Sequence, residues 1–119
     1  TLVTIDPWRP YQLHPDHRAA GQIVIDAIFP AVGNPAFFPE QINEGFRQHN
    51  VEELWLSLPV EANFEMEVTQ HWQLRLDALL EHVSQVGEPA AFLERMETRR
   101  KTQWGEQLRY VESFRRLIL

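Results

Sequence analysis

Two short apolar runs, each halted by a proline, set the strongest limit on what this chain can become. Leu2-Val3-Thr4-Ile5 ends at Asp6-Pro7, and Leu54 to Leu58 ends at Pro59. Proline cannot donate to a strand ladder, so both runs read as strands that stop there. They lack the in-out alternation of a half-wet sheet, which marks strands buried on both faces. Between them Ala20, Ile23, Val24, Ala27 and Ile28 recur at helical spacing, and Pro30 ends that helix. Strand, helix, strand is the pattern of an α/β fold.

The rest of the chain extends this plan. Glu40 to His49 predicts one short helix inside a turn-rich loop. Phe64, Met66 and Val68 alternate with Glu65 and Glu67, as in a half-exposed strand near a sheet edge. Thr69 is placed to cap a helix whose stripe is Trp72, Leu76, Leu79, Leu80 and Val83, ended by Val86-Gly87. Glu88-Pro89 opens a last helix with Phe92, Leu93 and Met96 inward and Arg95, Arg99, Arg100 and Lys101 outward. Gly105 breaks it, and Tyr110, Val111, Phe114 and Leu117 predict a terminal helical turn or two. Trp55, Trp72 and Trp104 read as core or shell residues. Three strands are few for a doubly wound domain. The expectation is therefore α/β, a partial Rossmann-like sheet with flanking helices, wanting strands on its N-terminal side.

Composition excludes several functions. The chain has 119 residues, is 44% apolar, and carries a net charge of −6. That length suits one domain, and the charge lacks the basic footprint that nucleic acid requires. No cysteine is present, which removes disulfides, thiolate ligands and cysteine nucleophiles together. No apolar run approaches the roughly 20 residues that cross a bilayer, and no leader is visible. A cytoplasmic protein is expected. The opening directly on strand residues hints at truncation.

Ligand-type side chains gather in one window, Tyr11 to Gly21. His14 sits where a helix N-cap belongs, with Pro15 at the first helical position, where its missing N–H costs nothing. Asp16 follows in the first turn, where negative charge suits the helix dipole. His14 and His17 are three apart and share one side of the helix start. The window follows a strand's carboxyl end, where open α/β sheets place their sites. Catalytic zinc takes three ligands of this type and keeps a position for water. Two readings stay open: part of a metal site, or a capping His14 beside a hydrogen-bonded His17. His71 and His82, eleven residues apart on one predicted helix, cannot join a shared metal, and His49 lies in a polar loop. Trp8 and Arg9, on the loop leading to His14, are candidate substrate contacts, Arg9 for an anionic aglycone.

A family resemblance tips the balance. Leu2-Val3-Thr4 through Asp6-Pro7-Trp8 to His14-Pro15-Asp16-His17-Arg18-Ala19-Ala20-Gly21 resembles the second signature of the LmbE-like, or PIG-L-like, N-acetylglucosaminyl deacetylases. Glu67-Val68-Thr69 falls where the family has its D-V-T step. Ala78-Leu79-Leu80 and His82-Val83-Ser84-Gln85 resemble its A-L-x-x-H-x-S-Q helix. Gly105-Glu106 and Tyr110-Val111-Glu112-Ser113-Phe114-Arg115-Arg116-Leu117 resemble its ending.

The resemblance implies a zinc-dependent hydrolase of N-acetyl amides on glucosamine-type substrates. It assigns His17 as a zinc ligand, His14 as the group that stabilises the oxyanion, and Asp16 as its modulator. The family takes two further ligands and its general base from an N-terminal A-H-P-D-D-E motif, which these 119 residues lack. Residues 1–119 thus read as the C-terminal portion of such a domain, inactive alone and completed by an N-terminal half. The competing expectation is a non-catalytic remnant that acts as a homo-oligomeric or partner-binding module.

Overall fold

The computed structural model describes the backbone of residues 1–104 and 107–119 and the side chains of 1–98 and 109–119. The expectations for Gly105, Glu106, and the side chains of Arg99, Arg100, Lys101 and Trp104 lie outside the described residues. The chain forms two compact units, Thr1–Phe64 with Ser113–Leu119, and Glu65–Glu112.

In the first unit β1 (Leu2–Ile5) pairs in parallel with β2 (Glu53–Ser57), Leu2 opposite Leu54 and Ile5 opposite Ser57. A parallel pair needs a crossover, and α1 (Pro15–Asp26) lies within it. The sequence places Gly21 on α1 for a reason visible here. A Cβ at that position would stand 2.6 Å from the Ile5 carbonyl oxygen and 2.9 Å from Pro7 Cβ. Only hydrogen lets α1 lie this close to the end of β1.

The helix runs into a kinked turn, Ala27–Ala31, where Phe29 leaves helical geometry ahead of Pro30. A short α2 (Pro39–Asn43) follows in the loop, as expected. The predicted apolar face of α1 is largely uncovered: Ile23 is 66% exposed, and the one buried residue of the helix is Gly21.

The second unit holds most of β3 (Phe64–Glu67), a 3-10 turn at Thr69–His71, α3 (Trp72–Leu80), α4 (Val83–Val86) and α5 (Pro89–Arg100). Strand β4 (Lys101–Trp104) and the first half of β5 (Gln107–Ile118) pair antiparallel there. The strand order is β1-β2-β5-β3, which leaves β3 at an edge, as its alternation predicted. The architecture is α/β, a mixed open sheet with flanking helices.

Four expectations need correction. The predicted helical turn through Tyr110 and Leu117 is strand β5, and the described sheet has five strands rather than three. The apolar residues fit a period of 3.6, but pairing follows a period of 2. In the first unit Leu117 lies opposite Leu54 and Phe114 opposite Ser57, with Trp55 packed on Phe114 and Phe64. In the second unit Tyr110 stacks on Trp72 at 4.3 Å, and Glu112 pairs with Arg75. Alternate side chains of β5 therefore find partners that a helix would point away from.

Thr69, secondly, caps no helix: its Oγ1 accepts from the Tyr110 N–H at 3.1 Å. Thirdly, the helix predicted to continue through Val83 stops at Leu80. Val83 is left exposed, and a separate turn ends at Gly87, whose φ of +71° suits glycine alone among common residues. That break, fourthly, puts His71 in the turn before α3 and His82 at the cap of α4, not on one helix.

The start of α5 follows its sequence. Both carboxylate oxygens of Glu88 accept from the N–H groups of Ala90 and Ala91, at 3.0 and 2.7 Å. These bonds hold the Glu88 carboxyl below the ordinary carboxylate range.

Candidate active site

The site begins where β1 ends. The Asp6 N–H donates to the Ser57 carbonyl at 3.0 Å, extending the strand pair by one rung. Asp6 itself is only 8% exposed, and its Oδ1 accepts from the Trp8 N–H at 2.9 Å. This Asx-type bond turns the chain out of the sheet. Arg18 then fastens the returning loop, its guanidinium donating to the carbonyls of Gln12 and Leu13. The sequence reading gave Arg18 no such positioning role, because only the folded loop brings those carbonyls back to the first turn of α1.

His14 occupies the N-cap of α1 with extended backbone geometry, and Pro15 stands at the first helical position, as the sequence predicted. His14 Nδ1 accepts from the Asp16 N–H at 3.3 Å. In a neutral imidazole that acceptor leaves the proton on Nε2. The Asp16 carboxylate lies 4.0 Å from the same Nδ1. The His17 ring stacks on the His14 ring at 4.7 Å. Its nitrogens have no hydrogen-bond partner among the described residues. All three side chains are exposed to solvent.

The structure thus brings His14, Asp16 and His17 together. It does not complete a metal centre: no group of three His, Cys, Asp or Glu able to hold an ion occurs among the described residues. The donor set fits one wall of such a centre, with a free imidazole at His17 and a capping imidazole beside it. His49, His71 and His82 add nothing to it.

Trp8 and Arg9 part company. Trp8 is 61% exposed and lines a cleft of about 490 Å³. Arg9 does not line it. The cationic residue there is Arg115 of β5, and Asp6 and Glu61 supply its carboxylates. Sequence reasoning missed Arg115 because a helical reading of this segment carried no pairing with β2.

No helix among the described residues is long and apolar enough to cross a membrane. No family model matches the chain. Over 83 residues, 70% of its length, the chain is 32% identical to a diacetylchitobiose deacetylase of Thermococcus kodakarensis, of which this alignment covers 31%. Among solved structures it is similar to the N,N′-diacetylchitobiose deacetylase of Pyrococcus horikoshii, solved in complex with an inhibitor. That match has a TM-score of 0.77 and 27% identity, and takes in 98% of this chain and 45% of the other. The chain thus spans less than half the length of the relatives it matches.

Proposed function

Because the chain is homologous to diacetylchitobiose deacetylases of the LmbE-like, PIG-L-like type, we propose that it is the C-terminal portion of a metal-dependent deacetylase acting on N-acetylglucosamine-type sugars. The reaction is amide hydrolysis: water adds to the acetyl carbonyl, the C–N bond breaks, and acetate and a free amine result. The single observation carrying this reading is the structural match to a deacetylase across 98% of the chain.

His17 is the proposed metal ligand, its imidazole being the one in the cluster without a hydrogen-bond partner. Zinc, when bound, supplies a Lewis acid that makes water nucleophilic near neutral pH. His14 is assigned to the oxyanion. With Nδ1 occupied by the Asp16 N–H, its Nε2–H is the free donor toward an oxygen that gains charge as water adds. Asp16 is assigned as the modulator of that ring, since its N–H holds Nδ1 and its carboxylate lies 4.0 Å away. Trp8 and Arg9 remain on the substrate side of the proposal.

In this reading two metal ligands and a general base come from the N-terminal half of the family's domain. Strand β1 offers a place for it: the strand ends the sheet, and its Val3 is 54% exposed. The 119-residue chain alone is expected to bind zinc substoichiometrically and to release no acetate from N,N′-diacetylchitobiose. Mixed with an N-terminal half carrying A-H-P-D-D-E, it is expected to do both, and His17→Ala to abolish both. Stoichiometric zinc in the isolated chain, or full activity with His17→Ala, overturns the assignment.

A further inference from the structure

The loop that delivers His14 to the start of α1 has little of its own to hold it. Between the Asp6 turn and Leu13, the one backbone hydrogen bond among the described residues joins the Gln12 N–H to the Arg9 carbonyl, at 3.3 Å. Tyr11 stands within this loop at a φ of +60°, a left-handed geometry that is costly for a bulky residue. Its side chain is 94% exposed, so no packing offsets that cost. The cap is slender too. The Asp16 N–H reaches His14 Nδ1 at 3.3 Å, and the Arg18 N–H reaches the His14 carbonyl at 3.4 Å, both long for such donors.

Arg18 supplies what the loop lacks. Its Nη1 donates to the carbonyls of Gln12 and Leu13, the two that immediately precede His14. Main chain and side chain of this one residue thus bind three successive carbonyls, those of Gln12, Leu13 and His14. The placement runs against helix electrostatics, since a cation in the first turn meets the positive end of the dipole. Both side-chain bonds lie at the surface, where water satisfies carbonyls nearly as well. Neither helix stability nor polar satisfaction accounts for the arginine. A fixed backbone ahead of His14 does.

We propose that Arg18 is a positioning residue: by clasping the Gln12 and Leu13 carbonyls it sets the backbone from which the His14 ring is aimed, and with it the stack on His17. It acts through His14 and not on the reacting atoms. A misplacement of about 1 Å costs on the order of a hundredfold in rate, so a surface clasp can govern turnover while adding little to stability. The inference rests on the deacetylase reading for what His14 does, and on the geometry alone for how His14 is held. One nitrogen makes both bonds, so a lysine ammonium, with three donors, can replace it.

The test compares Arg18→Gln and Arg18→Lys with the parent in two readouts. The first is NMR of the 119-residue chain without metal or substrate, and it stands even if the deacetylase reading fails. Arg18→Gln is expected to abolish cross-relaxation between the His14 and His17 ring protons and to shift the amides of Gln12, Leu13 and His14. Signals of β1, β2 and Gly21 stay in place, and Arg18→Lys keeps the ring contact. The second readout is acetate release by the chain mixed with an N-terminal half carrying A-H-P-D-D-E. Arg18→Gln is expected to lower kcat by about tenfold or more at unchanged KM, with rescue by Arg18→Lys. Ring contacts that persist in Arg18→Gln overturn the proposal. So does loss of the β1 and β2 signals, which makes Arg18 a general stabiliser. A raised KM at unchanged kcat also overturns it, because Arg18 then touches substrate.

Discussion

The segment from Asp6 to Gly21 joins two regions built on opposite terms. Its base is closed. Gly21 meets the Ile5 carbonyl with no room for a methyl group, Asp6 is buried, and Leu56 beneath is almost wholly removed from water. Its rim is open. His14, Asp16 and His17 stand in solvent and hold one another by a cap bond and a ring stack. The difference teaches that stability and chemistry are separable here. The base fixes where the rim stands, and the rim contributes little to keeping the base folded. Side chains with free nitrogens at a strand's carboxyl end are what a ligand requires, and burial would have satisfied or neutralised them.

Substitutions break or sharpen this contrast. The largest effect is expected from Leu56→Ala, which empties the best-packed position and costs about 3 kcal/mol in urea unfolding. Gly21→Ala comes next, at about 2 kcal/mol. Overpacking against a backbone carbonyl that cannot swing away exceeds the gain in helix propensity. An unchanged urea midpoint for this variant means that α1 does not need its close approach to β1.

A smaller effect concerns pH. The Arg116 guanidinium, with help from Thr1 and Trp55, holds the Glu53 carboxyl below the ordinary range, against an opposing desolvation. A carboxyl depressed in the folded state stabilises above its unfolded pKa, and that stability is lost as pH falls through its folded one. Glu53→Gln is expected to flatten the acid limb of a stability–pH curve and leave its neutral limb parallel to the parent. The smallest effect belongs to the rim. His17→Ala is expected to alter stability by less than about 0.5 kcal/mol, and a larger loss in thermal unfolding shows that rim and base are coupled.

Much of the first unit was legible from residues in sequence. Pro7 and Pro59 end the two parallel strands, Pro15 starts α1 behind a capping His14, and Gly21 marks the close approach. These are local matters of φ, missing donors and missing Cβ atoms, which sequence spacing expresses directly. The terminal segment was not legible. Tyr110, Val111, Phe114 and Leu117 satisfy helical spacing well, and nothing local shows that Trp72, Arg75, Trp55 and Leu54 wait on partners a strand can reach. Thr69 misled for a related reason: its hydroxyl suited a cap, and a distant N–H took it.

What the sequence determined by itself, then, is the β1-α1-β2 frame and the grouping of His14, Asp16 and His17 at its mouth, because turn chemistry and helix starts are set by neighbours along the chain. Tertiary structure alone decided that the C-terminal segment is a strand, and with it that Arg115 comes to line the cleft with Asp6 and Trp8. Pairing between residues some sixty positions apart follows from burial of alternate side chains on both strands, a condition that no single stretch of sequence carries.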